Sequence, residues 1–178
     1  VRPPTSPAPR LFFALWPDEP LRRRLVSCSE RLLGRRVPAE MPADLHLTLL
    51  FLGKVPAALQ PELLAAAASL RVQTFELVLD RSGYWPRPRV CWLAPSRPPG
   101  GLMQLAFALR EQAATLGLRV SQGVYRPHLT LARRVPPQVN RVLAPPLPWQ
   151  VRDFVLVASA LQARPRYRVV QRWPLLAG

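Results

Sequence analysis

The 178-residue sequence predicts an α+β fold of two pseudo-symmetric lobes, and two observations carry the prediction. Short apolar runs of strand character are followed first by helical segments and later by one another, an order that suits an α+β domain better than a doubly wound one. In addition, a helix followed by a strand reading His-Leu-Thr-Leu occurs once in each half, with the histidines at positions 46 and 128, 82 residues apart. Such a repeat is what an internal duplication leaves behind. One domain spanning residues 10–178 accounts for the chain, preceded by a Pro-rich, disordered arm over residues 1–9.

The elements follow from local pattern. Arg10–Trp16 (RLFFALW) is an apolar run stopped by Pro17 and reads as the first strand. Pro17–Gly34 places Asp18 and Glu19 early and arginines late, the polarity a helix dipole favours, and Gly34 ends it. Leu45–Gly53 (LHLTLLFLG) is a buried strand, and the Ala/Leu-rich segment Pro56–Leu70 is a helix with proline near its start. Phe75–Asp80 and Arg89–Ala94 bracket the turn-rich RSGYWPRP, which predicts a hairpin with a long loop. Leu102, Leu105, Ala106 and Leu109 form the apolar stripe of a helix over Gly101–Gly117. A strand over Tyr125–Val135 follows, then a Pro-rich connection over Pro136–Pro148, and two closing strands at Val151–Leu161 and Tyr167–Trp173.

Bulk properties exclude more than they assign. No apolar run approaches the roughly 20 residues of a membrane helix, and the first ten residues lack the apolar core of a signal peptide. Cys28 and Cys91 have no metal or redox spacing and are expected as two buried free thiols of a cytoplasmic protein. A net charge of +15, carried by arginine except for Lys54, suits a polyanionic partner such as RNA, because the guanidinium fork matches phosphate oxygens. The 23 prolines fit a compositional bias equally well, so charge by itself decides nothing.

The paired motif carries the chemistry. His46-Leu47-Thr48-Leu49 and His128-Leu129-Thr130-Leu131 contain both histidines of the chain. Chance produces this coincidence on the order of once in a million sequences of such composition. In a strand, residues i and i+2 share a face, so each histidine points the same way as its threonine while the leucines anchor the other face. Two such strands facing one another enclose a phosphate-sized space. Opening a cyclic phosphodiester in line requires a base for water and an acid for the departing ribose oxygen, and imidazole can be either near neutral pH. Their environments must then separate the two pKa values. Neither a metal nor a cofactor is expected, since two histidines need further ligands and neither motif carries a carboxylate on its histidine face.

At these residues the chain resembles the two-histidine phosphoesterases. More closely, it resembles the LigT-like RNA 2′,3′-cyclic phosphodiesterases, formerly called 2′-5′ RNA ligases. The likeness runs from about Arg10 to Trp173 and includes RLFFAL, DLHLTLLFLG, RVCWLAP with PPGGLMQLAFALREQA, and RPHLTLARR. The resemblance implies antiparallel sheets flanked by helices with an active-site cleft between the lobes. It also implies metal-independent opening of RNA 2′,3′-cyclic phosphate ends to 2′-phosphates. His46 would be the proton donor to the leaving oxygen and His128 the acceptor that activates water, with Thr48 and Thr130 binding phosphate. The family's arginine five positions after the second histidine falls on Arg133, although strand parity puts Arg134 on the histidine face; both stand as candidates. Tyr125 lies where similar proteins carry an aromatic, and with Phe13 and Trp92 it is a candidate to stack on a base. Arg126 flanks the motif.

Three functions remain open at this point. One is the RNA-end phosphodiesterase; the second is a 2′-5′ ligase or 2′-5′ phosphodiesterase, or a small cyclic-nucleotide phosphodiesterase, at the same site; the third is a non-catalytic RNA-binding module. The expected partner is an oligoribonucleotide with a 2′,3′-cyclic phosphate end, with no membrane and no metal, and the chain is expected to be a monomer.

Overall fold

The computed structural model describes residues 10–160 and 164–177. The expected arm over residues 1–9, and Leu161 at the end of one expected strand, lie outside them. The strands are β1 (Arg10–Leu15), β2 (Leu47–Lys54), β3 (Phe75–Trp85), β4 (Val90–Ala94), β5 (Leu129–Arg133), β6 (Arg141–Val151), β7 (Asp153–Ser159) and β8 (Tyr167–Pro174). The helices are α1 (Glu19–Leu33), α2 (Gln60–Ala68) and α3 (Gly100–Thr115). All eight strands join in the order β6-β3-β4-β5-β2-β1-β7-β8, antiparallel at every step.

The expected two-lobed α+β architecture is present, and the duplication has a geometric form. Four strands belong to each half of the sheet, and the two halves of the sheet are joined through β2 and β5, at the pair Leu47↔Leu129. These are equivalent leucines of the two motifs, so a pseudo-two-fold axis passes through their pairing. Helices interleave across it: α3 packs on β2 as well as β3, and α1 contacts β6.

One face of the sheet carries the main core, which takes in Leu11, Phe13 and Leu15 of β1 together with Leu25 of α1 and Leu105 of α3. All four motif leucines (Leu47, Leu49, Leu129, Leu131) belong to it and are at most 3% exposed. Each such burial stabilises by about 1.5–3 kcal/mol, so the motif strands are held from behind. The opposite face carries a small cluster of Phe12, Ala14, Val155 and Val157, and it is left open as the cleft.

Local chemistry explains the element ends. The Asp18 carboxylate caps α1 by accepting from the Leu21 N–H at 2.9 Å, and Gly34 leaves the helix at φ 80°. Gly83 lies directly beneath the Trp92 ring, where an added Cβ would come within 2.1 Å of a ring carbon. Both cysteines are buried and free, as the sequence predicts, and burial pushes Cys91 up to about 11.

One expectation fails. The Pro-rich connection expected over Pro136–Pro148 is largely strand, since β6 begins at Arg141 and runs through Pro145, Pro146 and Pro148. It is an edge strand paired only with β3, so half of its backbone N–H groups have no ladder partner to lose, and proline is tolerated there.

Candidate active site

β2 and β5 bring the two motifs side by side. Because Leu47 pairs antiparallel with Leu129, Thr48 stands across from His128 and Thr130 across from His46, all four on the face away from the core. Diagonal neighbours in such a pair lie about 7–8 Å apart, so the two imidazoles flank a space that one phosphate can bridge.

Each ring is oriented in the same way. His46 Nδ1 lies 2.6 Å from the Asp44 carbonyl, and His128 Nδ1 lies 2.8 Å from the Arg126 carbonyl, two residues back in both cases. A carbonyl oxygen only accepts, so Nδ1 carries the hydrogen and Nε2 is left free to take or give a proton. It is a base when the ring is neutral and an acid when it is charged.

The surroundings of the rings differ. His46 is enclosed by Phe12 (centroids 5.0 Å), Tyr167 (4.9 Å, edge-on) and Trp16 (5.6 Å, stacked). This burial, partly offset by the Asp44 carbonyl, and the positive charge of Arg133 hold His46 down to about 4. His128 meets the Trp85 ring at 4.5 Å. It too is lowered, by burial first, against its bond to the Arg126 carbonyl, and then by Arg133.

Because the folded value for His46 is below the ordinary one, protonation favours the unfolded chain. Stability is full above pH 6.5 and is lost as pH falls through about 4. The gap corresponds to about 3 kcal/mol at pH 4. Urea melts at pH 7 and pH 4 should therefore show a smaller acid loss for His46→Asn than for the parent; an equal loss would mean that His46 is not buried in its neutral form.

A bulge sets which arginine shares the histidine face. In the β4–β5 ladder Trp92 faces Thr130 and Cys91 faces Ala132, so Leu131 is an extra residue and the parity beyond it reverses. Arg133 is thereby turned to the histidine face, where it influences both imidazoles. Arg134 lies beyond the strand end with φ 57°. The parity argument for Arg134 is corrected on that ground. The same bulge recurs in β2, where Ala14 faces Thr48 and Phe13 faces Leu50, leaving out Leu49, the equivalent of Leu131.

Arg133 is paired with Glu40, whose carboxylate lies 3.0 Å from its Nε and accepts from Arg166 Nη2 at 2.5 Å. Buried Asp44 accepts the backbone N–H groups of Arg166 and Tyr167, both at 3.2 Å, which fixes the Tyr167 ring against His46. None of Glu40, Asp44, Phe12, Trp16, Trp85 or Tyr167 is apparent as a site residue from the sequence. The position of Asp44 two residues before His46 is the one local signal that could have found any of them.

The aromatic candidates divide. Phe13 is 1% exposed and packs on Phe154 and Trp173 in the core, so it offers no surface to a base; its neighbour Phe12 occupies the cleft face. Tyr125 is half-buried, and its hydroxyl donates to the Thr48 carbonyl at 2.9 Å, bracing the loop before β5 against β2. Burial pushes its phenol up. Trp92 lines a pocket beside His128 with Trp85. Among the described residues no three His, Cys, Asp or Glu side chains gather in a set able to hold a metal ion.

Comparison with known proteins identifies the family and the fold. The model of the 2′-5′ RNA ligase superfamily matches residues 17–162. The RNA 2′,3′-cyclic phosphodiesterase of Escherichia coli (strain K12) is 38% identical over 93% of this chain and 96% of its own length. That of Thermus thermophilus is 36% identical over 93% and 90%. The crystal structure of E. coli LigT complexed with 3′-AMP superposes with a TM-score of 0.83 at 36% identity, covering 94% of this chain and 98% of that one.

Proposed function

Since the chain belongs to the 2′-5′ RNA ligase superfamily, we propose that it hydrolyses 2′,3′-cyclic phosphate ends of RNA to 2′-phosphomonoesters, with its two histidines as acid and base. The observation that supports this reading most is the pairing of Leu47 with Leu129, which sets His46 beside Thr130 and Thr48 beside His128 on one face of the sheet, with each Nδ1 engaged by a carbonyl and Nε2 left open. The activity borne in the names of the E. coli and Thermus relatives supports it.

In this reading Thr48, Thr130 and Arg133 hold the non-bridging oxygens. His128 Nε2 takes a proton from water as the water oxygen bonds to phosphorus. The bond from phosphorus to O3′ breaks, and His46 Nε2 delivers a proton to O3′. Two preorganised donors and a cation aimed at the developing charge supply the electrostatic part of the rate.

The acid role of His46 has a condition. Held at about 4 in the empty cleft, His46 is neutral near pH 7. An anionic cyclic phosphate beside Nε2 offsets Arg133 and favours the imidazolium, so the proton is taken up with the substrate. The reverse assignment, His46 as base and His128 as acid, is the second reading. It is favoured by the depression of His46 to about 4, which keeps that ring neutral near pH 7, and gives the 3′-phosphate from the same bound orientation.

One assay separates these outcomes. An oligoribonucleotide ending in a 2′,3′-cyclic phosphate is incubated with the protein in EDTA, and the product isomer is identified by phosphorus NMR. The expected product is the 2′-phosphate. A 3′-phosphate exchanges the histidine roles, and a requirement for added metal sinks the proposal. The finer expectations of a monomer and a cytoplasmic location stay with the same reading. Two buried free thiols support it, and no helix among the described residues is long and apolar enough to cross a membrane.

A further inference from the structure

A ribose carrying a 2′,3′-cyclic phosphate sends three groups in three directions: the phosphate from C2′ and C3′, the base from C1′, and the rest of the chain from C5′. The structure has three compartments that meet at residues 125–128. The first is the space between the motifs. The second is a groove of about 590 Å³ that reaches from Thr48 and His128 to Phe51, Phe107, Met103 and Arg110. The third is a pocket of about 390 Å³ on the other side of His128, walled by Trp85, Trp92, Arg81 and Arg126. Both volumes fall within the range of about 300–1,000 Å³ usual for ligand sites.

We propose that RNA crosses His128 with its terminal base in the Phe51 groove and its upstream nucleotide in the Trp85–Arg81 pocket, so that the protein selects RNA ends over free cyclic mononucleotides. The proposal rests on the reading of the reaction given above.

Continuity decides which compartment takes the base. The Phe51 groove touches both motifs, through Thr48 and His128, so it opens at the phosphate position itself. The Trp85 pocket touches the second motif only, through His128. The chemistry of the walls agrees. Phe51 and Phe107 are 54% and 56% exposed, unusual for phenylalanine unless something covers it, and Phe51 stacks on Phe12 at 5.9 Å with the rings within 8° of parallel. The Arg110 guanidinium lies over the Phe107 ring at 5.3 Å. A flat heteroaromatic base fits such a platform. The Trp85 pocket has no acidic residue in its wall, and neither Arg81 nor Arg126 has a carboxylate partner among the described residues. It combines cations for a phosphodiester with an aromatic for a base.

The pseudo-symmetry adds an independent argument. Each motif bulges at its second leucine, and in each the first residue returned to the cleft face is five positions after the histidine. On one side that residue is Arg133, on the other Phe51. A scaffold that is symmetric in backbone thus offers a cation at one end and an aromatic at the other, which matches a nucleotide with phosphate at one end and base at the other.

The test compares kcat/KM for a 2′,3′-cyclic mononucleotide and for an oligoribonucleotide with the same terminal nucleoside. Phe51→Ala is expected to lower both about tenfold, the scale of one lost stacking contact. Arg81→Ala is expected to lower the oligonucleotide-to-mononucleotide ratio about tenfold through KM, and to make the salt dependence of oligonucleotide turnover shallower by about one phosphate contact; Arg81→Lys should restore most of both. A ratio and salt slope untouched by Arg81→Ala, or a Phe51→Ala effect confined to the oligonucleotide, overturns the path. Failure of the parent protein to open either substrate overturns the reaction itself.

Discussion

His128→Ala is expected to lower the rate of ring opening about 10³-fold, and His46→Ala to do so to a similar degree. In the proposed mechanism each Nε2 carries one proton in the transition state, and one positioned proton transfer contributes about 10²–10⁴-fold. The two act as a unit on one phosphorus, so the double substitution is expected to cost little more than either alone. Single-turnover rates on an oligoribonucleotide with a 2′,3′-cyclic phosphate end measure this directly. Near-native rates in either variant would remove the histidines from the chemistry, because neither ring is needed to pack the core: the motif leucines, on the other face, do that. His46→Asn serves as a control for fold at His46, since an amide can still donate toward the Asp44 carbonyl that holds Nδ1.

Arg133→Ala is expected to lower kcat about 10²-fold, the scale of removing one donor that stabilises developing charge, whereas Arg134→Ala stays within about twofold. The contrast tests the bulge at Leu131, since an unbulged strand predicts the opposite pair of results. Equal losses at both positions would mean that neither residue is selected by its face. Glu40 bears on the same measurement, because its carboxylate holds both Arg133 and Arg166 and so limits where the Arg133 fork can reach.

Much of this protein was legible one residue at a time. The apolar runs around Phe12, Leu49 and Val155 announced their strands, and Asp18 with Gly34 announced the limits of α1. The Pro-rich stretch misled because proline reports the absence of a backbone N–H and not the position of a strand within a sheet; β6 is an edge, and the edge tolerates it. Phe13 misled for a related reason. Neighbouring aromatics in a strand face opposite ways, and whether Phe12 or Phe13 faces the core depends on where the helices land.

What the sequence determined by itself is the pattern: two imidazoles, each with a threonine on its own face, repeated in a chain long enough to fold back on itself. That follows from strand periodicity, which is local. What the tertiary structure alone decided is the surroundings of each group: Arg133 rather than Arg134 on the histidine face, Phe12 and Trp16 around His46, and Asp44 bonded to a backbone more than a hundred residues away. A bulge spends one residue without altering composition or spacing, and contacts between distant segments depend on how two halves of a sheet meet, so neither leaves a mark in the order of residues along the chain.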